Sequence, residues 1–240
     1  MATAKKRDPE AALALLWGEQ GQPTRGPKPS LSAAGIAARA VEIADAEGLE
    51  AASMQRMGKE FGVTTMALYR YVPGRAELVE LMVDTAMGTP QPVAGIAGGW
   101  RPQLAHWARQ CWDMYRRHPW ILTATAMRRQ LMGPNQLAWL DAALGALAGT
   151  GLRPAEQHDA FLLVVGHVRN LTQQLTEEDA EAGAEWARLT GAVLERHGDR
   201  YPSLTAAVAA GAFAPGGGDP LDFGLERILD GVQALVEERR

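Results

Sequence analysis

Apolar residues recur at spacings of three and four along most of the chain, which is the pattern of α-helices with one buried face. The clearest example in the N-terminal third is the stripe formed by Ile36, Ala40, Val41, Ile43 and Ala44. Ser32 precedes this stripe and Gly48 follows it, and these residue types are typical of helix starts and stops. The pattern therefore predicts a first long helix over residues 33–47.

Two short helices and a longer one follow this first helix. Ser53 is a typical N-cap for the first short helix, Gly62 supplies a turn, and Thr64 caps a second short helix predicted over residues 65–72. The positions expected to face inward are Met54, Met57, Phe61, Ala67, Leu68 and Val72. A further helix is predicted over 75–87. Two short helices joined by a glycine turn, behind a longer helix, form the helix-turn-helix pattern.

Glycine and proline divide the rest of the chain into further helical segments, and no alternating strand pattern competes with them. The segments are predicted over residues 101–117, 120–132, 135–147, 155–175, 180–196, 204–210 and 223–238. We expect an all-α fold in three parts. An N-terminal extension with a short helix and a basic linker occupies residues 1–30, a three-helix helix-turn-helix domain occupies 31–88, and a larger helical domain occupies 89–240.

Composition narrows the class of protein. The 240 residues are 47% hydrophobic and 22% charged, which is typical of a globular chain. The start lacks the apolar run of a secretion signal, and the longest apolar stretch, residues 160–166, is far shorter than the roughly 18 residues of a membrane-spanning helix. Cys111 is the only cysteine, which fits a reducing compartment. We expect a cytoplasmic protein without a membrane partner.

Motifs that carry catalysis or cofactor binding are missing from the sequence. It has no P-loop, no dinucleotide-binding glycine pattern after a strand, no nucleophile elbow and no HExxH zinc motif. The five histidines are scattered, at positions 106, 118, 158, 167 and 197, rather than one helical turn apart. We therefore predict that the protein is not an enzyme and uses neither a cofactor nor a metal.

Charge is distributed unevenly between the two ends of the chain. The net charge is −4, yet residues 1–75 hold ten Lys and Arg against eight Asp and Glu. Within residues 53–75 the cations Arg56, Lys59, Arg70 and Arg75 face the single anion Glu60. Such a local surplus favours a phosphate backbone as the partner of the helix-turn-helix.

Residues 31–87 resemble the DNA-binding domain of the TetR family of transcriptional regulators. The stretches that carry the resemblance are ADAEGL at 44–49, SMQRM at 53–57, FGV at 61–63, MALYRYV at 66–72 and PGRAEL at 73–78. The remainder is similar to the tetracycline-repressor-like ligand-binding and dimerisation domain of that family. The stretches there are WR at 100–101, HPW at 118–120, GPN at 133–135 and DFGLERILDG at 222–231. The chain departs from the family at Tyr71, where His is usual, and at Gly58, where Ala is usual.

The resemblance implies that the third helix of the domain enters the major groove of DNA. Thr64 and Thr65 would meet the groove at the start of that helix, and Arg70 would contact either a guanine or a phosphate. Gln55 would read a base edge, while Met66 and Ala67 would contact a thymine methyl group. The residues expected at phosphates are Tyr69, Tyr71 and Arg75. For Tyr71, simple packing is an equal alternative.

The resemblance also implies an effector pocket and a dimer interface in the larger domain. Aromatic walls with a few polar groups are typical of small-molecule sites. The candidate effector residues are His106, Trp107, Cys111, Tyr115, Arg128, Trp139, Asn170 and Gln174. The candidate interface residues, on two apolar stripes, are Phe161, Val165, Val168, Leu225, Ile228, Leu229 and Val232. The alternative for the two stripes is an ordinary core within one subunit.

The function that follows from these expectations is ligand-responsive regulation of transcription. A homodimer would hold a palindromic double-stranded DNA operator, with recognition helices on half-sites roughly 34–36 Å apart, and an unidentified small-molecule effector would release it. A repressor is favoured over an activator. The alternative is a helical sensor or adaptor that binds a small molecule or a protein partner and has lost DNA binding.

Overall fold

Every regular element in the described part of the chain is a helix, which confirms the all-α prediction. The computed structural model describes residues 8–19, 31–126, 131–175, 180–212 and 219–239. Its α-helices are α1 (Pro9–Leu16), α2 (Ala33–Glu47), α3 (Met54–Glu60), α4 (Thr65–Leu68), α5 (Arg75–Met87), α6 (Trp100–Arg117), α7 (Trp120–Ala126), α8 (Pro134–Leu147), α9 (Pro154–Leu175), α10 (Ala180–His197), α11 (Pro202–Ala209) and α12 (Pro220–Glu238). None of these helices combines the length and the apolarity that a bilayer crossing requires.

The N-caps predicted for the first helices are confirmed. The hydroxyl of Ser32 accepts from the backbone N–H of Gly35 at 3.0 Å, and that of Ser53 accepts from Arg56 at 3.2 Å. Thr64 caps α4 in the same way. Each cap satisfies one of the amides that a helix start leaves without an intrahelical partner. Local sequence alone therefore sets where these helices begin.

Two helices end earlier than the sequence predicts. The α-helix α4 stops at Leu68, and residues 69–71 form a turn in which the Tyr71 amide bonds the Leu68 carbonyl. Pro73 disfavours helical geometry in Val72, the residue before it, but the helix stops four residues before Val72. The helix predicted over residues 120–132 also stops short of its predicted end, because residues 131–133 are not helical. Pro134 there begins the next helix rather than continuing the last one.

One hydrophobic core runs through the N-terminal helices and the larger domain. Helix α5 packs against α2 on one side and α8 on the other, and α6 packs against both α8 and α9. Helix α1 packs on α5, and the Trp17 indole N–H donates to the Met132 carbonyl at 3.2 Å. The helix-turn-helix is therefore held on the larger domain by a shared core. The exact domain boundaries remain a prediction.

Part of the predicted dimer interface lies inside one subunit, so the prediction needs correction for its buried residues and remains a prediction for the others. Helices α9 and α12 pack side by side, and Gly224 approaches the His167 ring so closely that a Cβ atom would lie 2.2 Å from it. Four of the seven interface candidates are buried in the core of the subunit: Val168, Leu225, Leu229 and Val232. Phe161, Val165 and Ile228 are half-buried. Apolar periodicity marks a buried face but does not say which helix covers it.

Candidate nucleic-acid interface

A tight glycine turn sets the angle between α3 and α4. Gly62 has φ +63°, a conformation that side chains with a Cβ rarely adopt, and the Val63 amide bonds back to the Gly58 carbonyl at 2.9 Å. Gly58 is buried, and a Cβ there would lie 3.0 Å from the Val63 carbonyl oxygen. The glycine at position 58, a departure from the family pattern, therefore lets the turn pack closely on α3.

Helix α4 presents most of its side chains to solvent. Leu68 alone within it is buried, whereas 75% of Met66 is exposed. Of the predicted DNA-contacting residues, the exposed ones are Gln55, Thr64, Met66, Tyr69 and Arg70. The half-buried ones are Thr65, Ala67, Tyr71 and Arg75. A large exposed apolar side chain flanked by polar groups is typical of a surface that binds a partner.

An open cleft of about 540 Å³ lies between α3 and α4 and brings several predicted residues together. Gln55, Thr64 and Thr65 line it, together with Gly58, Gly62 and Val63. Lys59 lines the cleft as well, although the predicted DNA-contacting set lacks it. In the sequence, Lys59 was recorded only as part of the local surplus of basic residues. That surplus does not indicate which of the charged side chains face outward.

Ion pairs remove Arg56 from the cations available to DNA. Its guanidinium contacts Glu60 Oε1 at 2.9 Å and Glu47 Oε1 at 2.9 Å, while Arg39 contacts Glu60 Oε2 at 2.7 Å. Hydrogen bonds from Arg39 and then from Arg56 hold the pKa of Glu60 below its usual value. Lys59 and Arg70, in contrast, are exposed and have no carboxylate partner within the described ranges. These two side chains carry the free positive charge of the surface.

The two outermost phosphate candidates also make contacts within the chain. Arg75 pairs with Glu50 at 2.9 Å and donates to the Leu49 carbonyl at 3.4 Å. The Glu50 side chain is 92% exposed, so a phosphate can replace it as the partner of Arg75. Tyr71 is half-buried against the core. Its role at a phosphate remains a prediction.

The effector residues predicted from the sequence do not form one site. Trp107 and Trp139 are 1% and 5% exposed, and their rings meet edge to face with centroids 6.1 Å apart. The Trp107 indole donates to the Trp139 carbonyl at 2.9 Å, and the Trp139 indole donates to the Gly88 carbonyl at 2.9 Å. The two tryptophans are core residues with satisfied N–H groups, because α6 and α8 pack directly on each other.

Four other effector candidates are either corrected or remain untested. Asn170 and Gln174 lie on the exposed side of α9 and contact each other instead of an interior. Their exposure follows from the burial of the opposite side of α9 against α12 and α6. His106 is half-buried. Arg128 lies outside the described residues.

Cys111 and Tyr115 remain as buried candidates, one helical turn apart on α6. Burial raises the pKa of the Cys111 thiol and of the Tyr115 hydroxyl above their usual values. Arg169 of α9 donates to the Tyr115 hydroxyl at 3.1 Å and to Thr125 Oγ1 of α7 at 2.8 Å. Arg169 was missed by the sequence reasoning. The available signal was its place as the only Lys or Arg within residues 154–175.

Two carboxylates join the DNA-binding helices to the larger domain. Asp45 Oδ1 of α2 lies 2.7 Å from His118 Nδ1 and accepts from the Trp120 indole at 2.7 Å. Asp84 of α5 is buried. Its carboxylate accepts from the backbone N–H of Gln136 in α8 at 3.0 Å and from Asn135 Nδ2 at 3.2 Å. Burial raises the pKa of Asp84 above its usual value. Movement of α6 to α8 therefore reaches α2 and α5 directly.

An outward-facing helix-turn-helix on a larger helical domain defines a DNA-binding regulator. Residues 91–236 match the family model of the tetracyclin repressor-like C-terminal domain. The HTH-type transcriptional repressor DrrR1 of Streptomyces coeruleorubidus is 38% identical over 99% of this chain and 90% of its own length. Apo ActR from Streptomyces coelicolor is a similar solved structure, with TM-score 0.74 and 26% identity over 89% of this chain and all of its own.

A second ActR structure, in complex with actinorhodin, has TM-score 0.70 and 26% identity, and it covers 86% of this chain and 97% of its own. The match to the family model and the similarity to DrrR1 both span most of the chain. The chain therefore belongs to the TetR family of helix-turn-helix transcriptional regulators. That family is regulatory rather than enzymatic.

Proposed function

We propose that the protein is a transcriptional repressor that binds a palindromic operator as a homodimer and releases it when a small-molecule effector binds. The observation that carries this proposal is the exposed surface of α3 and α4, where Gln55, Lys59, Met66 and Arg70 lie free of the core. The relative DrrR1 is named a repressor, and ActR is known in complex with actinorhodin. The first supports repression, and the second supports a regulator that binds a small molecule.

The chemistry of each exposed side chain indicates its role on DNA. Gln55 carries an amide that can bond adenine through two hydrogen bonds, and Met66 offers an apolar contact to a thymine methyl group. Lys59 and Arg70 carry unpaired charge for phosphates, and Arg70 is also long enough to reach guanine. We assign specificity to the first pair and most of the salt-dependent affinity to the second.

Release follows from the way the two parts of the subunit are joined. An effector that favours a different arrangement of α6 to α8 would pull on Asp45 and Asp84, and through them on α2 and α5. The recognition helices of a dimer would then no longer match successive major grooves. The extent of release is limited by the difference in effector affinity between the two arrangements.

We place the dimer contact on the outward faces of α9 and α12, in place of the buried residues predicted from the sequence. Leu162 and Leu163 of α9 are 48% and 58% exposed, and Phe223 of α12 is 74% exposed. Large apolar side chains exposed on two adjacent helices are typical of an interface. A two-fold contact of these helices would form a four-helix interface.

Leu163→Asp is expected to convert the dimer to a monomer, because the substitution places a charge at the centre of the apolar contact. Sedimentation velocity at micromolar concentration measures the change. Leu137→Asp is the matched control, since Leu137 is exposed (38%) but lies on α8, which is not part of the proposed contact. A Leu163→Asp protein that stays dimeric and folded would place the interface elsewhere.

Selection of bound duplexes from random-sequence DNA tests the function. We expect a two-fold palindrome whose affinity falls steeply with salt, because bound cations release counterions from the phosphates. Arg70→Ala and Lys59→Ala are each expected to weaken binding and to reduce the slope of log K against log salt by about 1. Arg196→Ala, an exposed arginine on α10, is the matched control and leaves the slope unchanged.

The outcome separates the two candidate functions. If folded, dimeric protein enriches no sequence, the sensor or adaptor that has lost DNA binding replaces the repressor. If binding is salt-sensitive but Arg70→Ala and Lys59→Ala leave the slope unchanged, DNA contacts a different surface. The proposed role is regulatory and includes no catalytic step.

A further inference from the structure

Arg169 is a half-buried cation without an anion. Four arginines within the described ranges are half-buried: Arg56, Arg75, Arg101 and Arg169. The first three each contact at least one carboxylate, as Arg101 does with Glu226 and Asp230. Arg169 has only neutral partners among the described residues, namely Tyr115 and Thr125. A guanidinium withdrawn from water in this way lacks the compensation that the other three have.

The Tyr115 hydroxyl next to Arg169 has a hydrogen to donate. The side chain is 5% exposed, and its oxygen accepts from Arg169. Within the described residues the hydroxyl hydrogen has no acceptor. Thr125 differs, because its hydroxyl donates to the Ile121 carbonyl at 2.7 Å and serves Arg169 only as an acceptor. Arg169 and Tyr115 are therefore two adjacent donors, one of them charged.

Buried residues that carry no charge adjoin these donors on both helices. Cys111 lies one turn before Tyr115 on α6, is 3% exposed and carries a neutral thiol. Val168 adjoins Arg169 on α9 and is fully buried. The guanidinium carbon of Arg169 also lies 5.4 Å from the centroid of the Tyr115 ring, within the range of a cation–π contact. A planar anion attached to an apolar group can accept hydrogen bonds from both the Arg169 guanidinium and the Tyr115 hydroxyl.

We propose that Arg169 and Tyr115 bind the carboxylate of an otherwise apolar effector between α6, α7 and α9. The inference deepens the proposed function and rests on it. One guanidinium balances one negative charge, so a monocarboxylate fits. A phosphate dianion would bring a second, unbalanced charge into this interior. The Tyr115 hydroxyl donates to the same carboxylate and distinguishes it from a neutral amide of equal shape.

Isothermal titration of the full-length protein with two matched pairs of probes tests the proposal. The pairs are 2-naphthoate with 2-naphthamide and octanoate with octanamide. At least one carboxylate is expected to bind, and its amide is expected to bind at least roughly tenfold more weakly, since a charged hydrogen bond contributes on that scale. If no carboxylate binds, or if an amide binds as well as its carboxylate, the proposal is wrong.

Two variants at the site separate binding from packing. Arg169→Met is expected to weaken carboxylate binding at least roughly tenfold and to leave amide binding unchanged, while Tyr115→Phe weakens the carboxylate alone by a smaller factor. In the absence of any probe, Arg169→Met is expected to keep the melting temperature within about 2 °C or to raise it, because an uncompensated cation is removed. A purely structural arginine would instead lower the melting temperature when replaced.

Arg101→Met is the matched control for that comparison. Arg101 is half-buried like Arg169, but its carboxylate partners lie on α12. Its replacement leaves Glu226 without this partner, although Asp230 keeps Arg227, so the melting temperature is expected to fall while carboxylate affinity stays unchanged. The same fall in Arg169→Met, with unchanged probe affinity, would overturn the proposal.

Operator DNA distinguishes this inference from the proposed function. Wild-type protein that binds a selected operator and is released by the amides, but not by the carboxylates, keeps the repressor function and refutes the carboxylate site. Carboxylate binding that depends on Arg169, in protein that enriches no DNA sequence, keeps the site and refutes the repressor function.

Discussion

Trp107→Ala is expected to lower the free energy of unfolding by about 3–5 kcal/mol, the range for removal of a fully buried aromatic side chain. Trp107 is 1% exposed and lies edge to face against Trp139 and Phe161, with ring centroids 6.1 and 5.7 Å away. Its replacement opens a cavity where α6, α8 and α9 meet and removes the donor to the Trp139 carbonyl. Guanidinium denaturation at a fixed protein concentration measures the loss.

Trp112→Ala is the matched control for this experiment. Trp112 lies on the same helix, is half-buried and has the Arg116 guanidinium 5.9 Å from its ring centroid. Its removal is expected to lower the free energy of unfolding by less than about 1 kcal/mol. If the Trp107→Ala protein is as stable as the Trp112→Ala protein, Trp107 is not a core residue and lines a cavity, as the sequence predicted.

Gly133→Ala is expected to destabilise the junction between the two parts of the subunit by about 1–3 kcal/mol, as overpacking of a buried site does. A Cβ atom at Gly133 would lie 2.2 Å from Asp84 Oδ1 and 2.9 Å from Asp84 Cβ. The Asp84 carboxylate cannot rotate away without losing its hydrogen bonds from the Gln136 backbone N–H and from Asn135 Nδ2. The start of α8 must then shift against α5. Thermal and chemical denaturation measure the effect.

Gly145→Ala, on the same helix α8, is the matched control for Gly133→Ala. Gly145 is exposed, and a Cβ there has no neighbouring atom within 4 Å. Alanine therefore adds helix propensity without a clash and is expected to raise stability by up to about 1 kcal/mol. Equal effects of the two substitutions would show that Asp84 does not hold α8 in place. We also expect Gly133→Ala alone to change the effector concentration that releases operator DNA.

Interactions close in sequence explain most of what could be predicted about the DNA-binding half. The caps at Ser32, Ser53 and Thr64 bond amides only three residues ahead, and the turn at Gly62 needs only one positive φ angle. These interactions therefore join residues that lie close together in the sequence. The end of α4 at Leu68 does not follow from this rule, because Pro73 restricts Val72, where the prediction already stopped.

Contacts distant in sequence explain the predictions that needed correction. An apolar stripe on α9 or α12 states that a face is buried, but only the packing of the two helices places Val168 and Leu225 inside the subunit. In the sequence Arg56 is one of the local surplus of cations, whereas in the structure it pairs with Glu47 and Glu60. From the sequence, Trp107 of α6 and Trp139 of α8 were predicted to line a pocket. In the structure their indole N–H groups donate to backbone carbonyls within the core.

The sequence by itself determined the all-α fold, the start of each early helix, the position of the helix-turn-helix and, through resemblance, the family. Each of these depends on periodicity or on contacts within a few residues. The tertiary structure alone decided which cations remain free on α3 and α4, which apolar side chains face outward on α9 and α12, and that Arg169 meets Tyr115 across 54 positions. Periodicity records whether a side chain is buried, whereas its partner depends on how distant helices pack.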